Sequence, residues 1–241
     1  MTTQTTSIYS EQQIKDYHKN GCLLPALQIF NEDELSELTS IFERLESEGR
    51  NLDTPHFRFP ELLKFLLDDR VLDVVEPLIG PDIGLFSSHF ISKEPNKGLA
   101  TPWHEDSNYW DGRFDKFDGI VTVWLALDES TLENGCMKLI PGSHMRNDFI
   151  YEPCSTDENI FFKGITNIDE DSAIPCVLKR GEFSLHDSRI VHGAKPNTST
   201  KRRCGYTMRY FSQSMKYLGD KDSFKMWHCR GENPLNNPVV N

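Results

Sequence analysis

Residues 120–127 read IVTVWLAL and give the clearest strand pattern in the chain. Val121, Val123 and Leu125 alternate there with Thr122 and Trp124. Successive side chains of a β-strand point to opposite faces, so a period of two predicts a strand with two different faces. Further β-rich runs, bounded by turn residues, lie at residues 83–92, 137–140, 182–186 and 203–211. Strands spaced in this way predict a sandwich or a small barrel.

The part of the chain before Pro81 has helical periodicity. Helices are predicted at residues 10–19, 32–48 and 60–78, with Ser10 and Asn31 as caps of the first two, and a short buried strand at residues 22–24. The acidic residues 147–173 have no clear pattern and are expected to form a loop, or a lid over a site. We expect one domain over residues 1–241: a helical part at about 10–80, a β core at about 81–213 and a tail at 214–241.

Composition narrows the classes of partner. The chain has 26 basic and 37 acidic residues, a net charge of −11, which argues against nucleic acid or an anionic membrane surface. No run approaches about 18 consecutive apolar residues. The N-terminal MTTQTTSIYSEQQ lacks the basic and apolar segments of a secretory signal, and the six cysteines form no CxxC pair. We therefore expect a cytoplasmic protein with a small-molecule partner, and the sequence leaves its oligomeric state open.

Residues 101–110, TPWHEDSNYW, contain a candidate metal motif. His104 and Asp106 are two residues apart, so in an extended strand their side chains project from the same face and can bind one ion. A His-x-Asp pair is frequent by chance, so the motif needs a second element to carry a prediction.

That second element is residues 182–193, EFSLHDSRIVHG. His192 ends this β-like run, just before a glycine turn. Two imidazoles and one carboxylate on one face of an octahedral ion leave three positions open, which suits Fe(II) bound to a cosubstrate and O₂. Catalytic zinc more often has three histidines, or two histidines and a glutamate. His186, six residues earlier, is either a further donor near the metal or a hydrogen-bonded core histidine.

Arg203 follows His192 by eleven residues, at the start of the run RCGYTMRYF. A hairpin through residues 195–199 would bring this strand back beside the metal, where a planar guanidinium can bind a carboxylate through two hydrogen bonds. Gly205, Thr207 and Arg209 share a strand face with Arg203, and Gly205 would leave room for a ligand.

Together these segments resemble the phytanoyl-CoA dioxygenase (PhyH) family of Fe(II)/2-oxoglutarate-dependent oxygenases. The matching pieces are WHEDSNYW (103–110), TVWLALDESTLENGCMKLIPGSH (122–144), GEFSLHDSRIVHGAKPN (181–197) and RRCGYTMRYF (202–211). The similarity extends over residues 10–211, and the joint match is far more specific than any single piece.

The resemblance implies a mainly β protein with N-terminal helices, folded as a double-stranded β-helix (jelly-roll, cupin-like). It implies that the iron ligands are His104, Asp106 and His192, and that Arg203 binds the distal carboxylate of 2-oxoglutarate. Trp124 and His89 would line the cosubstrate pocket. The implied reaction consumes O₂ and 2-oxoglutarate, releases succinate and CO₂, and hydroxylates a small molecule, with ascorbate as reductant in vitro.

Three positions refine what the resemblance implies. Asp106 distinguishes the chain from related halogenases, in which Gly or Ala replaces the metal carboxylate and leaves a site for chloride. Ala194 stands where some family members place a hydroxyl group against the cosubstrate, so that contact is not expected. Arg202 beside Arg203 leaves a one-residue ambiguity, because neighbouring strand residues face opposite ways, and the eleven-residue spacing favours Arg203.

The substrate site is less defined. Asn108, Tyr109 and Trp110 directly follow the metal motif and either form a substrate wall or pack in the core. Arg209 either binds an anionic substrate group or forms a buried ion pair. Nothing demands a CoA thioester, so a small free metabolite is expected. Three functions stay open: a hydroxylase, a non-catalytic jelly-roll module that binds a ligand, and a metal-dependent hydrolase or isomerase on a cupin-like barrel.

Overall fold

Four α-helices lie between residues 8 and 80 of the chain. The computed structural model describes residues 8–222 and 224–240. Residues 1–7, part of the stretch on which the expected localisation rests, and residues 223 and 241 of the predicted tail lie outside that description. The helices are α1 (Glu11–Asn20), α2 (Glu32–Ser47), α3 (Leu63–Leu66) and α4 (Asp69–Ile79).

Helices α1 and α2 begin at the predicted caps. Ser10 and Gln13 exchange side-chain and backbone hydrogen bonds at the start of α1, and Asn31 and Glu34 do the same at the start of α2. Such reciprocal bonds satisfy amide groups that have no partner within the helix.

No helix in the described part of the chain is both long and apolar enough to cross a membrane.

The single helix predicted at residues 60–78 is wrong. The chain instead forms a short 3-10 turn (Pro60–Leu62), then α3, then α4. Asp68 separates the two helices because its backbone is extended (φ −66°, ψ 129°) and its side chain accepts a hydrogen bond from the Arg70 amide at 2.9 Å. A residue in that conformation caps a new helix and cannot continue the previous one. Arg70 also pairs with Glu34, which ties α4 to α2.

The described residues contain thirteen strands. They are β1 (Cys22–Leu23), β2 (Ile83–Lys93), β3 (Thr101–His104), β4 (Ile120–Ala126), β5 (Met137–Leu139), β6 (Tyr151–Pro153), β7 (Lys163–Ile165), β8 (Ile174–Pro175), β9 (Phe183–Asp187), β10 (His192–Ala194), β11 (Arg203–Ser212), β12 (Met226–Arg230) and β13 (Val239–Val240). A seven-stranded sheet has the order β1-β9-β4-β11-β2-β12-β13, a four-stranded sheet has the order β3-β10-β5-β8, and β6 and β7 form a separate pair.

Both faces of β4, within the seven-stranded sheet, are buried. Val121, Val123 and Leu125 of β4 pack in one cluster with side chains of α2 and α4, whereas Trp124 packs on the other face with Met137 of β5. The predicted period of two is therefore confirmed. All seven residues of β4 are buried, so the alternation is not between buried and exposed positions. It separates side chains that face the helices from side chains that face the other sheet. The two sheets face each other as a double-stranded β-helix, the predicted fold.

Two regions that lacked a sequence pattern contain strands. Residues 147–173, expected to be irregular, include the hairpin of β6 and β7. The predicted tail supplies β12 and β13, which extend the seven-stranded sheet beyond β2. Arg230, at the end of β12, makes ion pairs of 2.8 Å with Asp69, Asp73 and Glu76 of α4. These strands are short and contain few alternating apolar residues, so their partners rather than their own pattern determine them.

Candidate metal centre and cosubstrate pocket

His104 and His192 lie side by side on neighbouring strands of the four-stranded sheet. Strands β3 and β10 pair antiparallel with these two residues in register, and their ring centroids are 4.1 Å apart. The predicted glycine turn after His192 is wrong: His192 begins β10, and the chain turns earlier, at residues 188–189. Strand pairing, rather than proximity in sequence, thus brings the two imidazoles together.

Asp106 lies just past the end of β3, at the start of a short 3-10 turn (Asp106–Tyr109). Glu105 keeps an extended backbone (φ −114°, ψ 136°), so the predicted same-face relation between His104 and Asp106 holds although the strand has ended. The Ser107 amide donates to the Ser188 carbonyl at 2.9 Å, which holds this turn against the segment that leads to His192.

The three side chains can share one ion. Asp106 Oδ1 lies 3.8 Å from His104 Nε2 and 3.9 Å from His192 Nε2. The candidate ligand atoms of the triad all lie within 4.8 Å of one another, and all three residues are buried. Two nitrogens and one carboxylate oxygen are a donor set that suits a first-row transition metal such as Fe(II).

Backbone carbonyls fix the orientation of both imidazoles. His104 Nδ1 lies 2.8 Å from the Pro102 carbonyl, and His192 Nδ1 lies 3.0 Å from the Ile190 carbonyl. A proton on Nδ1 that is donated to the carbonyl leaves the Nε2 lone pair free for a metal. Burial, followed by the neighbouring His192, lowers the pKa of His104 to about 3, so this ring is neutral at physiological pH.

Asp106 is held in its ionised form. Burial alone would raise its pKa, but Arg209, followed by His192 and His104, outweighs burial and keeps the pKa below its usual value. The Arg209 Nε donates to Asp106 Oδ2 at 3.2 Å. A metal ligand must be deprotonated, so the carboxylate is ready to bind a cation at neutral pH.

Arg203 is a buried cation without an acidic partner among the described residues. It is 2% exposed, its Nε has no hydrogen-bond partner in that part of the chain, and its guanidinium lies 5.4 Å from the centre of the Trp124 ring. Burial lowers its pKa to about 10, which still leaves it charged at neutral pH. A buried charge without a partner is costly, so the site fits an external carboxylate.

The predicted route by which Arg203 reaches the metal is wrong. No hairpin pairs β10 with β11, because β10 belongs to the four-stranded sheet and β11 lies between β4 and β2 in the other sheet. Arg203 therefore faces His192 across the sandwich. Gly205 leaves room, as predicted, but for a protein ring: an added Cβ would come within 2.2 Å of Trp124.

One cavity of about 380 Å³ joins these groups. Its lining includes the three triad residues and Arg203. It also includes Trp124, His89 and Arg209, which were predicted as site residues, and Ala194. Burial, followed by Arg209, lowers the pKa of His89 to about 4, so its ring is neutral at physiological pH. Asn108, Tyr109 and Trp110 are not in this lining. The substrate role of Asn108, Tyr109 and Trp110 stays a prediction.

Sequence reasoning missed Phe161. Its ring lies 5.0 Å from the His104 ring and 5.2 Å from the Tyr109 ring, and it lines the cavity. The loop that carries it, between β6 and β7, is held by backbone hydrogen bonds from Ala100 to Glu158 and from Ile160 to Ala100, both of 3.0 Å. The paired phenylalanines 161–162 in an acidic segment were the only signal that this segment reaches a core.

His186 does not join the triad. It lies on β9, is 2% exposed, lines the cavity, and its ring centroid is 5.1 Å from that of His192. Its Nδ1 has no hydrogen-bond partner among the described residues. The alternative of a hydrogen-bonded core histidine therefore does not fit this nitrogen. Burial, followed by His192, holds its pKa well below the ordinary value, and the ring is neutral.

Known proteins share this architecture. The family described as Phytanoyl-CoA dioxygenase (PhyH) matches residues 15–205. A phytanoyl-CoA dioxygenase domain-containing protein 1 homolog from Caenorhabditis elegans is 29% identical over 185 residues, 74% of this chain and 62% of that protein. A probable alpha-ketoglutarate-dependent hypophosphite dioxygenase from Stutzerimonas stutzeri is 28% identical over 160 residues, 64% of this chain and 54% of that protein. The chain thus spans less than two thirds of the length of these curated relatives.

A solved structure matches over more of its length. EvdO2 from Micromonospora carbonacea var. aurantiaca, complexed with 2-oxoglutarate, is 25% identical with a TM-score of 0.74, covering 88% of this chain and 94% of that chain. Its similarity supports the jelly-roll assignment. Because the family match extends over residues 15–205, most of the sequence, this chain belongs to the phytanoyl-CoA dioxygenase (PhyH) family.

Proposed function

We propose that this chain is a non-haem Fe(II)- and 2-oxoglutarate-dependent dioxygenase that hydroxylates a small organic molecule. One observation carries the proposal. A buried triad of two histidines and an aspartate shares a cavity with Arg203, a buried cation without an acidic partner in the described chain. A metal site and a carboxylate site in one cavity are what this cosubstrate requires.

The donor set fits the metal. His104, Asp106 and His192 would hold Fe(II) on one face and leave its other three positions open. When bound, the iron with 2-oxoglutarate and O₂ supplies the oxidative decarboxylation that releases succinate and CO₂ and oxidises a substrate C–H bond. The chain's own contribution is to orient both imidazoles through their Nδ1 contacts with backbone carbonyls and to present an ionised carboxylate.

The pocket next to the triad fits the cosubstrate. Arg203 would bind the distal carboxylate, with Trp124 packed beside the guanidinium and His89 further along the same wall. The bound 2-oxoglutarate named in the EvdO2 structure supports this assignment. Ala194 lines the cavity without a hydroxyl group, so Arg203 would carry most of the carboxylate binding here.

The rest of the cavity lining supports a small substrate without an anionic group. Among the described residues only two permanently charged cations, Arg203 and Arg209, line the cavity, and Arg209 is already paired with Asp106. Phe161 and Ile160 form an apolar edge beside His104, with Tyr109 in contact with Phe161. At about 380 Å³ the cavity is near the lower end of the range of about 300–1,000 Å³ for ligand sites, and it must hold the cosubstrate as well.

The chain is also proposed to work as one domain in the cytoplasm. Its largest apolar cluster is continuous from the helices to the seven-stranded sheet, which supports a single folding unit. All six cysteines are free, which supports a reducing compartment.

The test is turnover of 2-oxoglutarate by the purified chain with Fe(II), ascorbate and O₂. We expect succinate from the wild type, at least by slow uncoupled turnover, and none above background from Asp106→Ala. A metabolite screen scored by stimulated succinate release then identifies the substrate class, with neutral compounds expected to stimulate and anionic ones not. A wild-type protein that binds iron and 2-oxoglutarate but forms no succinate would instead be a ligand-binding module.

A further inference from the structure

We propose that Arg209 is a positioning residue for the metal carboxylate. By binding the outer oxygen of Asp106, it leaves a single oxygen to face the two histidines. The inference rests on the metal centre proposed above, and it starts from the buried ion pair, one of the two roles that the sequence left open for Arg209.

The two oxygens of Asp106 have different partners. Oδ1 lies 3.8 Å and 3.9 Å from the Nε2 atoms of His104 and His192, whereas Oδ2 accepts a hydrogen bond from Arg209 Nε at 3.2 Å. Asp106 and Arg209 are both buried, so water competes little for this contact. Hydrogen bonds between charged groups are roughly twice as strong as neutral ones, which favours a fixed carboxylate orientation.

The guanidinium of Arg209 is itself held in place. It lies 5.3 Å from the centre of the Trp110 ring, and Trp110 packs edge-on against Phe86 with centroids 5.0 Å apart. The register of β11 against β2 shifts between Arg209 and Tyr210. This irregularity leaves Phe86 as the extra residue of β2, and bulges of this kind re-aim neighbouring side chains.

One short segment therefore supplies both the carboxylate and the support for its partner. Trp110 ends the turn that Asp106 begins, and its amide donates to the Ser107 carbonyl at 3.0 Å. Trp110 lies beneath the guanidinium, outside the cavity lining.

The number of oxygens that Asp106 offers affects how many metal positions stay open. A carboxylate can bind a metal through one oxygen or through two. With two histidines and one oxygen, three positions of an octahedral ion remain; a second oxygen would take one of them. A keto acid that chelates through two atoms needs two of the three, so a second oxygen of Asp106 would leave no position for O₂. Arg209 would therefore keep the O₂ position open without touching the cosubstrate.

The test compares Arg209→Gln with Arg209→Met. The Gln amide nitrogen stands where Arg Nε stands, so it keeps a donor for Asp106 Oδ2, whereas Met has the same length and no donor. Both lack the positive charge, so the difference between them isolates the hydrogen bond. In protein loaded with Fe(II) and 2-oxoglutarate without O₂, we expect Arg209→Met to bind nitric oxide, a stand-in for O₂, about tenfold or more weakly than Arg209→Gln, the effect typical of groups that orient metal ligands.

Absorption titrations with nitric oxide report this affinity. They are made at saturating Fe(II) and 2-oxoglutarate, so a weaker metal site in Arg209→Met does not affect the comparison. Arg202→Gln is the matched control: this neighbouring arginine faces Asp128 and Glu43 instead, and its change should leave nitric oxide binding as in the wild type. Equal nitric oxide affinity of Arg209→Gln and Arg209→Met would overturn the inference.

A crystal structure of Ni(II)-loaded wild-type protein decides the inference even if Arg209→Met does not fold. One Asp106 oxygen on the metal and the other on Arg209 supports it, and both oxygens on the metal overturns it. A wild-type protein that binds Ni(II) in this way but does not bind 2-oxoglutarate would contradict the proposed function and leave the inference standing.

Discussion

The indole ring of Trp124 lies directly over Gly205, on the neighbouring strand. A Cβ at position 205 would come within 2.2 Å of the ring, and the Arg203 guanidinium lies 5.4 Å from the ring's centre on the cavity side. Strands β4 and β11 pair so that Trp124 is opposite Thr207, one cavity-facing position beyond Gly205. The absent side chain at Gly205 thus lets the ring lie flat and pack beside the arginine.

Gly205→Ala is expected to destabilise the protein by about 1–3 kcal/mol, the usual range for an overpacked core, and to weaken 2-oxoglutarate binding by displacing Trp124. Urea unfolding and calorimetry measure the two effects. The double variant Gly205→Ala/Trp124→Phe should recover part of the stability, since the smaller ring leaves space for the methyl group. No recovery would show that the clash is not with Trp124.

Arg203→Met should weaken 2-oxoglutarate binding by roughly 10- to 100-fold, the value of a charged hydrogen-bonded contact. Arg202→Met is the control, because Arg202 binds Asp128 at 2.7 Å on the outer side. Calorimetry on Ni(II)-loaded protein gives both affinities. A loss in the Arg202 variant with no loss in the Arg203 variant would reverse the assignment of the two arginines.

Phe161→Ala should raise the substrate concentration needed for half-maximal stimulated succinate release, because the ring forms the apolar edge beside His104. We expect an increase of roughly 10-fold or more, in line with the loss of a buried aromatic side chain. Phe162→Ala is the control, since Phe162 is 66% exposed. Equal effects of the two changes would place the substrate elsewhere.

His56 should make stability depend on pH. It is buried, with Nδ1 2.7 Å from Ser88 Oγ, and burial lowers its pKa from 6.5 to about 3. Folding therefore favours the neutral ring: its contribution is fully present above pH 6.5 and is lost as the pH falls from 6.5 towards 3. In metal-free protein, His56→Gln should reduce the slope of unfolding free energy against pH in that range by up to about 1.4 kcal/mol per unit. Urea unfolding at several pH values measures it, and an unchanged slope would contradict the assignment.

Local patterns predicted the local parts of the structure. The alternation in β4 and the caps at Ser10 and Asn31 act over a few residues, and these elements form where expected. His104 and Asp106 also project from the same face as expected from their spacing, because the residue between them is extended.

The features that the sequence did not predict correctly depend on tertiary structure. Residues 60–78 look like one helix by periodicity, yet Asp68 finds a capping role and a partner in Arg70 that a periodic pattern does not show. The spacing from His192 to Arg203 suggested a hairpin, whereas the chain crosses to the opposite sheet. Phe161 reaches His104 through backbone bonds to Ala100, sixty-one residues away in sequence.

The most direct measurement is an anaerobic titration of the protein with Fe(II) and 2-oxoglutarate, followed by visible absorption. A metal held by the triad, with a keto acid chelated to it and bound by Arg203, predicts a weak charge-transfer band that saturates at one Fe(II) per chain and is absent in His192→Ala. A wild-type protein that shows no band at saturating concentrations of both would contradict the oxygenase assignment.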